Sequence, residues 1–166
     1  MLDRLDLEPA FFAPFVSSPM PVEAGWIGHL NMAYYNVLFD RGVDEAYELI
    51  GCGLDYVERT RHSCYTAEVH VRYLRELHAG DRVRVTFQLL GYDAKRLHYF
   101  EQLFHAEEGW LSATSENMAL HVDTVKQKTA PFPSTVAARL ARMRAAHGAL
   151  PIPEAAGRRT AMPAKT

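Results

Sequence analysis

Asn31–Gly51 reads NMAYYNVLFDRGVDEAYELIG, and this stretch decides the fold. Tyr35, Leu38, Phe39, Val43, Ala46, Tyr47 and Ile50 recur at helical spacing. Asn31 is suited to cap the start, because its side-chain carbonyl can accept an orphan backbone N–H. Gly51 is suited to end it, since glycine enters the left-handed conformation at low cost. The apolar set covers most of the circumference, and Asp40, Arg41, Asp44, Glu45 and Glu48 fill the remaining arc. Such a helix is expected to be wrapped by other structure and to show one polar edge. Asp40, Asp44 and Glu48, spaced i, i+4, read as a solvated face.

Downstream the period changes to two. Tyr65, Ala67, Val69, Val71 and Tyr73 alternate with Thr66, Glu68, His70 and Arg72, the pattern of a half-buried strand. His78–Asp81 then turns into Val83, Val85, Phe87 and Leu89, which alternate with polar residues. Arg96–His105 and Trp110–Val122 read as two further strands, followed by a helix over Pro133–His147. Short loops predict antiparallel neighbours, so these four strands are expected to form a meander. The result is an α+β layer design, one long helix covered by an antiparallel sheet with an extra C-terminal helix.

All nine prolines lie outside Val22–Ala130, which holds fourteen of the eighteen aromatic residues and reads as the continuous body. One domain is expected over 1–148, with its core at 22–125 and an irregular tail at 149–166. The 166 residues, 48% hydrophobic and 23% charged, have the composition of an ordinary globular domain. A net charge of −2 argues against a nucleic-acid partner. No apolar run is long enough to span a membrane, and two cysteines without a disulfide framework suit a cytoplasmic chain. Eight histidines are present without an HExxH or CxxC arrangement, so no metal site is expected.

Gly28-His29-Leu30-Asn31 opens the helix, followed by Ala33-Tyr34-Tyr35 and, later, by Arg72-Tyr73-Leu74-Arg75 and Gly80-Asp81. This combination resembles the hotdog-fold acyl-CoA thioesterases of the 4-hydroxybenzoyl-CoA thioesterase-like superfamily, within them the betainyl-CoA thioesterase branch, over about Val22–Asp123. The resemblance implies an antiparallel sheet curled around the central helix. It also implies hydrolysis of a small or medium acyl-CoA to acid and CoA, with no cofactor beyond the CoA of the substrate. The protein would be a homodimer or homotetramer with the thioester bound where two subunits meet.

Members of that family carry a catalytic Asp three residues before the glycine of the Gly-His pair, and here the position is Gly25. Glycine offers neither nucleophile nor base. The carboxylates weighed as replacements are Glu23, in extended phase with Gly25, Glu68 on the first long strand, and Glu76 beside Arg75. His29, just before a helix N-terminus, is favoured in its neutral form and able to accept a proton or bond the thioester carbonyl. The amides of Asn31 and Met32 are natural oxyanion donors, because the first turn leaves them unpaired. Trp26, Gly28, Tyr34, Tyr35, Arg72 and Arg75 are expected to line the substrate site, the arginines facing the phosphates of CoA. A cationic acyl group would call for an aromatic cage, with Trp26, Tyr34, Tyr35, Tyr99 and Trp110 as candidates. The alternative reading is a non-catalytic acyl-CoA-binding protein that kept the fold after losing the Asp.

Overall fold

A computed structural model of the chain describes residues 15–17, 19–22 and 30–162. Two short strands, β1 (Phe15–Val16) and β2 (Met20–Pro21), precede the long helix α1 (Met32–Ile50). The Asn31 side chain accepts the Ala33 N–H at 2.9 Å, and Gly51 closes the helix at φ +80°, so both ends form as the local sequence dictates. The seven apolar residues read as the helix stripe are all buried, and Gly42 lies among them. A Cβ at Gly42 would stand 2.7 Å from Val85 Cβ, so the absent side chain lets α1 sit against the sheet at close range.

A short helix that the sequence reading did not anticipate, α2 (Leu54–Thr60), follows after Gly53; the Glu48 carboxyl accepts the Leu54 N–H at 2.9 Å and ties its start back to α1. Then come β3 (His62–Tyr73), β4 (Arg82–Tyr92), β5 (Arg96–His105), β6 (Leu111–Asp123), β7 (Lys128–Thr129) and α3 (Ser134–His147). All pairings are antiparallel, in the order β1-β4-β5-β6-β3, with β2 also on β4 and β7 on β6. The sheet curls over α1, giving the α+β hotdog arrangement that the resemblance implied. Val83, Val85, Phe87 and Leu89 of β4 lie buried against the helices. α3 closes one flank, burying Val136, Leu140 and Met143, while His147 Nδ1 accepts the Leu89 N–H at 2.9 Å.

Two expectations need correction. β3 and β4 are not neighbours: β3 pairs with β6 at the far edge, and 74–81 cross from one side of the sheet to the other. An eight-residue connection is long enough to cross, whereas the tight turns after β4 and β5 leave their strands no choice but to pair. Nor do Tyr65, Ala67, Val69, Val71 and Tyr73 share one face. The register of β3 against β6 slips between Thr66 and Glu68, and this bulge inverts the alternation. Cys64 and Thr66 lie opposite His121 and Ala119 on the helix side, as do Val69, Val71 and Tyr73 opposite Asn117, Ser115 and Ala113. Tyr65, Glu68, His70 and Arg72 go to the outer face.

The described tail runs over that outer face of its own sheet. Gln88 Nε2 donates to the Pro151 carbonyl at 3.2 Å, and the Gly157 N–H donates to Glu116 Oε2 at 2.7 Å. Glu116 is also held by His98, 2.8 Å away.

Candidate active site

The crossover 74–81 builds the entrance to α1. The Leu30 N–H donates to the Leu77 carbonyl at 3.0 Å, and the Val22 N–H donates to the Asp81 carbonyl at 2.9 Å. Both residues flanking 23–29 are therefore pinned to one short loop. Glu23, Gly25, Trp26, Gly28 and His29 themselves lie outside the described residues. A cavity of about 350 Å³ opens here, lined by Leu30, Met32, Tyr35, Tyr73, Leu74, Arg75 and Glu76.

The amides of Asn31 and Met32 find no acceptor among the described residues, whereas those of Ala33 and Tyr34 are taken by the Asn31 cap. Met32 is 63% exposed and lines the cavity, which sets the positive end of the helix beside an accessible space. Tyr35 is fixed: its hydroxyl accepts the Leu77 N–H at 3.2 Å and its ring meets Tyr73 edge-on at 5.1 Å. Tyr34 points outward at 45% exposure. Among the three weighed carboxylates, Glu76 borders the entrance. Glu68 is exposed on the outer face of β3, about 13 Å of strand before Arg72, and one protomer does not bring it to the helix start.

The two arginines part company. Arg75 borders the entrance with its guanidinium 4.0 Å from the Trp110 ring centroid, whereas Arg72 faces the outer surface. Trp110 is also stacked on His105 at 4.9 Å and donates to Glu108, so it serves the β5–β6 turn and joins no cage at the entrance.

A polar cavity that sequence reasoning missed lies farther along α1. It measures about 320 Å³, between Asn36, Val37, Phe39, Asp40 and Val43 of the helix and Thr66, Val69, Tyr99, Glu101, Ser115 and Asn117 of the sheet. β6 presents Ala113, Ser115, Asn117 and Ala119 towards α1, and these small or polar side chains leave the space unfilled. Glu101 is 1% exposed. Its Oε2 accepts from Asn117 Nδ2 at 3.0 Å, and the same amide donates to Ser115 Oγ at 2.9 Å. Its Oε1 has no hydrogen-bond partner among the described residues. Burial, with the nearby charge of Asp40, pushes the carboxyl well above the ordinary carboxylate range against the pull of Asn117. The signal was present in the sequence: Glu101 stands in phase with Leu97, Tyr99 and Leu103, all fully buried.

A second cavity of about 380 Å³ continues along the helix, sharing Asp40, Val43 and Thr66 and adding Asp44, Glu45 and Glu48. Burial raises Asp44 first, and the charges of Asp40 and Glu48 raise it further. Asp40, Asp44 and Glu48 are exposed, as a solvated face requires, and the same edge borders this groove. Neither lining contains a lysine, arginine or histidine.

The remaining nucleophile and ligand candidates are structural. The Cys64 thiol is pushed up by its hydrogen bond with Cys52 and by burial, which leaves it inert. His121 Nδ1 donates to the Ala130 carbonyl at 2.8 Å, so Nε2 accepts from the Tyr56 hydroxyl at 2.9 Å. This clamps α2 and β7 to β6. No helix among the described residues is long and apolar enough to cross a membrane.

Comparison with known proteins bears on this geometry. The profile of a family described as the thioesterase-like superfamily matches residues 22–140. A betainyl-CoA thioesterase of Pseudomonas aeruginosa is 39% identical over 146 residues, covering 86% of this chain and 92% of its own. An L-carnitine dehydrogenase/betainyl-CoA thioesterase of Ruegeria pomeroyi is 36% identical over 167 residues, spanning 98% of this chain but only 33% of that larger protein. Among solved structures, a Staphylococcus aureus protein in complex with CoA superposes with a TM-score of 0.82 at 28% identity, covering 91% of this chain and 96% of that one.

Proposed function

The chain belongs to the thioesterase-like superfamily, and from that premise we propose that it hydrolyses acyl-CoA thioesters whose small acyl group carries a positive charge. Hydrolysis needs a polarised carbonyl, a water and a route for its proton. The amides of Asn31 and Met32 supply the donors for the oxyanion at no reorganisation cost. His29, adjacent to the pinned Leu30, takes the proton of the attacking water. Glu76, which borders the entrance, or Glu23 supports it. Water adds to the carbonyl carbon, the tetrahedral oxyanion collapses, and the carbon–sulfur bond breaks while His29 returns its proton to the sulfur, giving the acid and the CoA thiol.

The observation that carries the charge of the acyl group is the carboxyl-lined cavity around Glu101. From Met32 to Asn36–Asp40 the helix rises about 6–12 Å, the reach of a short acyl chain beyond the thioester. A cation entering there meets Asp40 and the unpartnered Oε1, with Tyr99 and Phe39 also lining the space. The betainyl-CoA activity of the relatives supports the same chemistry.

The active unit is proposed to be a homodimer joined at β3. That strand has a free edge among the described residues, and it exposes Tyr65 at 53%, Val69 at 48% and Tyr73 at 46%. A long apolar edge of this kind pairs with a second strand, and a two-fold axis would let it pair with itself. A partner there would also roof the Glu101 cavity, because Val69 lines its open side.

The test is thiol release from betainyl-CoA and 4-(trimethylammonio)butanoyl-CoA, each against the carbon isostere that replaces nitrogen by a quaternary carbon. Cationic substrates are expected to be preferred at least tenfold in kcat/KM. Equal rates would remove the charge from the proposal, and inertness towards every acyl-CoA would leave the protein a binder that lost hydrolysis with the Asp.

A further inference from the structure

The largest cavity among those described lies on the other side of the sheet. It measures about 550 Å³ and sits between the outer face of β3, β5 and β6 and the tail strapped over them. That volume falls within the roughly 300–1,000 Å³ of small-molecule sites. Its walls divide by chemistry. Phe100 and Leu111 from the sheet and Pro153 from the tail make an apolar slot, while Arg72 from β3 and Arg158 from the tail bring two guanidinium groups. Neither arginine has an ion-pair or side-chain hydrogen-bond partner among the described residues. Glu154 is the only carboxyl of the lining.

This cavity meets the entrance of α1. Leu74 lines both spaces, and it is 46% exposed on the rim between them. Arg72 stands two residues before it, about 7 Å along the strand. A ligand lying over Leu74 therefore has one end at the amides of Asn31 and Met32 and the other between Arg72 and Arg158. An apolar slot flanked by two unpaired guanidiniums suits a flat heterocycle bearing phosphate groups.

We propose that the strapped outer cavity is the nucleotide subsite of the enzyme, holding the adenosine 3′,5′-bisphosphate end of CoA while the pantetheine arm crosses Leu74 to the helix. The subsite rests on the acyl-CoA reading above. It assigns the C-terminal tail a binding function and Arg158 a contact with phosphate. It also separates the roles of Arg72 and Arg75, only the former reaching the nucleotide.

The test uses the full chain and two measurements. In calorimetry, adenosine 3′,5′-bisphosphate is expected to bind wild-type protein, to compete with CoA, and to bind about tenfold more weakly to Arg158→Ala and to Arg72→Ala. In kinetics, both variants are expected to raise KM for an acyl-CoA about tenfold relative to KM for the same acyl group on N-acetylcysteamine, which lacks the nucleotide. Absence of nucleotide binding, binding that does not compete with CoA, or equal KM changes for the two carriers would overturn the subsite. Competitive nucleotide binding, weakened in the arginine variants, from a protein that cleaves no thioester would support the subsite while sinking the hydrolase. Arg158 is exposed on the tail, so its replacement leaves the core packing untouched.

Discussion

The first turn of α1 and its middle offer opposite electrostatic environments within one helix. At the start, two amides without acceptors among the described residues bring partial positive charge to an accessible entrance. Two turns on, Asp40 and Glu101 line a cavity without a basic side chain, and the buried acid keeps one oxygen unpartnered. The first environment suits an oxyanion and the second a cation. Different parts of the chain make them: the first comes from backbone geometry and survives any side-chain drift, whereas the second depends on Glu101 standing where its neighbours in phase are apolar.

The sharpest way to break the comparison is to remove a donor at the start without touching the acid. Met32→Pro does this, because proline fits the first helical position and Asn31 already has ψ 143°, which a following proline accepts. Loss of one oxyanion donor is expected to lower kcat by roughly 10²–10³ on cationic and neutral substrates alike. Unchanged kcat, with melting temperature preserved, would place the oxyanion elsewhere.

Glu101→Gln is the converse change. It keeps the bond to Asn117 in shape but can no longer ionise against a cation. A quaternary ammonium has no N–H to donate, so what is lost is charge pairing in a buried site, and kcat/KM for a trimethylammonium acyl-CoA is expected to fall roughly 10- to 100-fold. The carbon isostere should change little. A fall on both substrates would make Glu101 part of the hydrolytic machinery instead.

Glu101 also leaves a mark on stability. Its folded pKa lies above the unfolded value of about 4.3, so its contribution is complete below that pH and is lost as pH rises through the raised value. Glu101→Gln should therefore gain on wild type between pH 5 and pH 8, by about 3 °C or more in melting temperature. A difference that stays flat with pH would mean that the acid ionises freely. Asp40→Asn should have the smallest effect, because an exposed charge is screened. A two- to fourfold rise in KM for the cationic substrate at low salt, vanishing near 0.5 M, is expected.

Local signals made much of this legible. The cap at Asn31, the stop at Gly51 and the stripe between them are written within one segment, and α1 forms as they specify. The bulge of β3 is not local: it arises from register against β6, some fifty residues away in the chain, so no alternation within His62–Tyr73 could reveal which face Tyr65 or Glu68 would take. Arg72 and Arg75 part because the first lies on the outer face of β3 and the second on the crossover that follows it. Glu101 could have been found, since one acid in phase with three buried apolar residues breaks the pattern of a half-buried strand. Arg158 could not, because the tail carries no periodicity and only the bonds to Gln88 and Glu116 place it.

Gly42 gives the groove its gauge. With hydrogen in place of a methyl group, the helix lies near its minimum standoff from Val85, and the depth left for an acyl chain beside Asp40 and Val43 follows from that spacing. Any larger residue there acts as a shim, raising the rod from its bed and admitting longer or bulkier guests. The space beside the acids is thereby gauged by a position that does not line it.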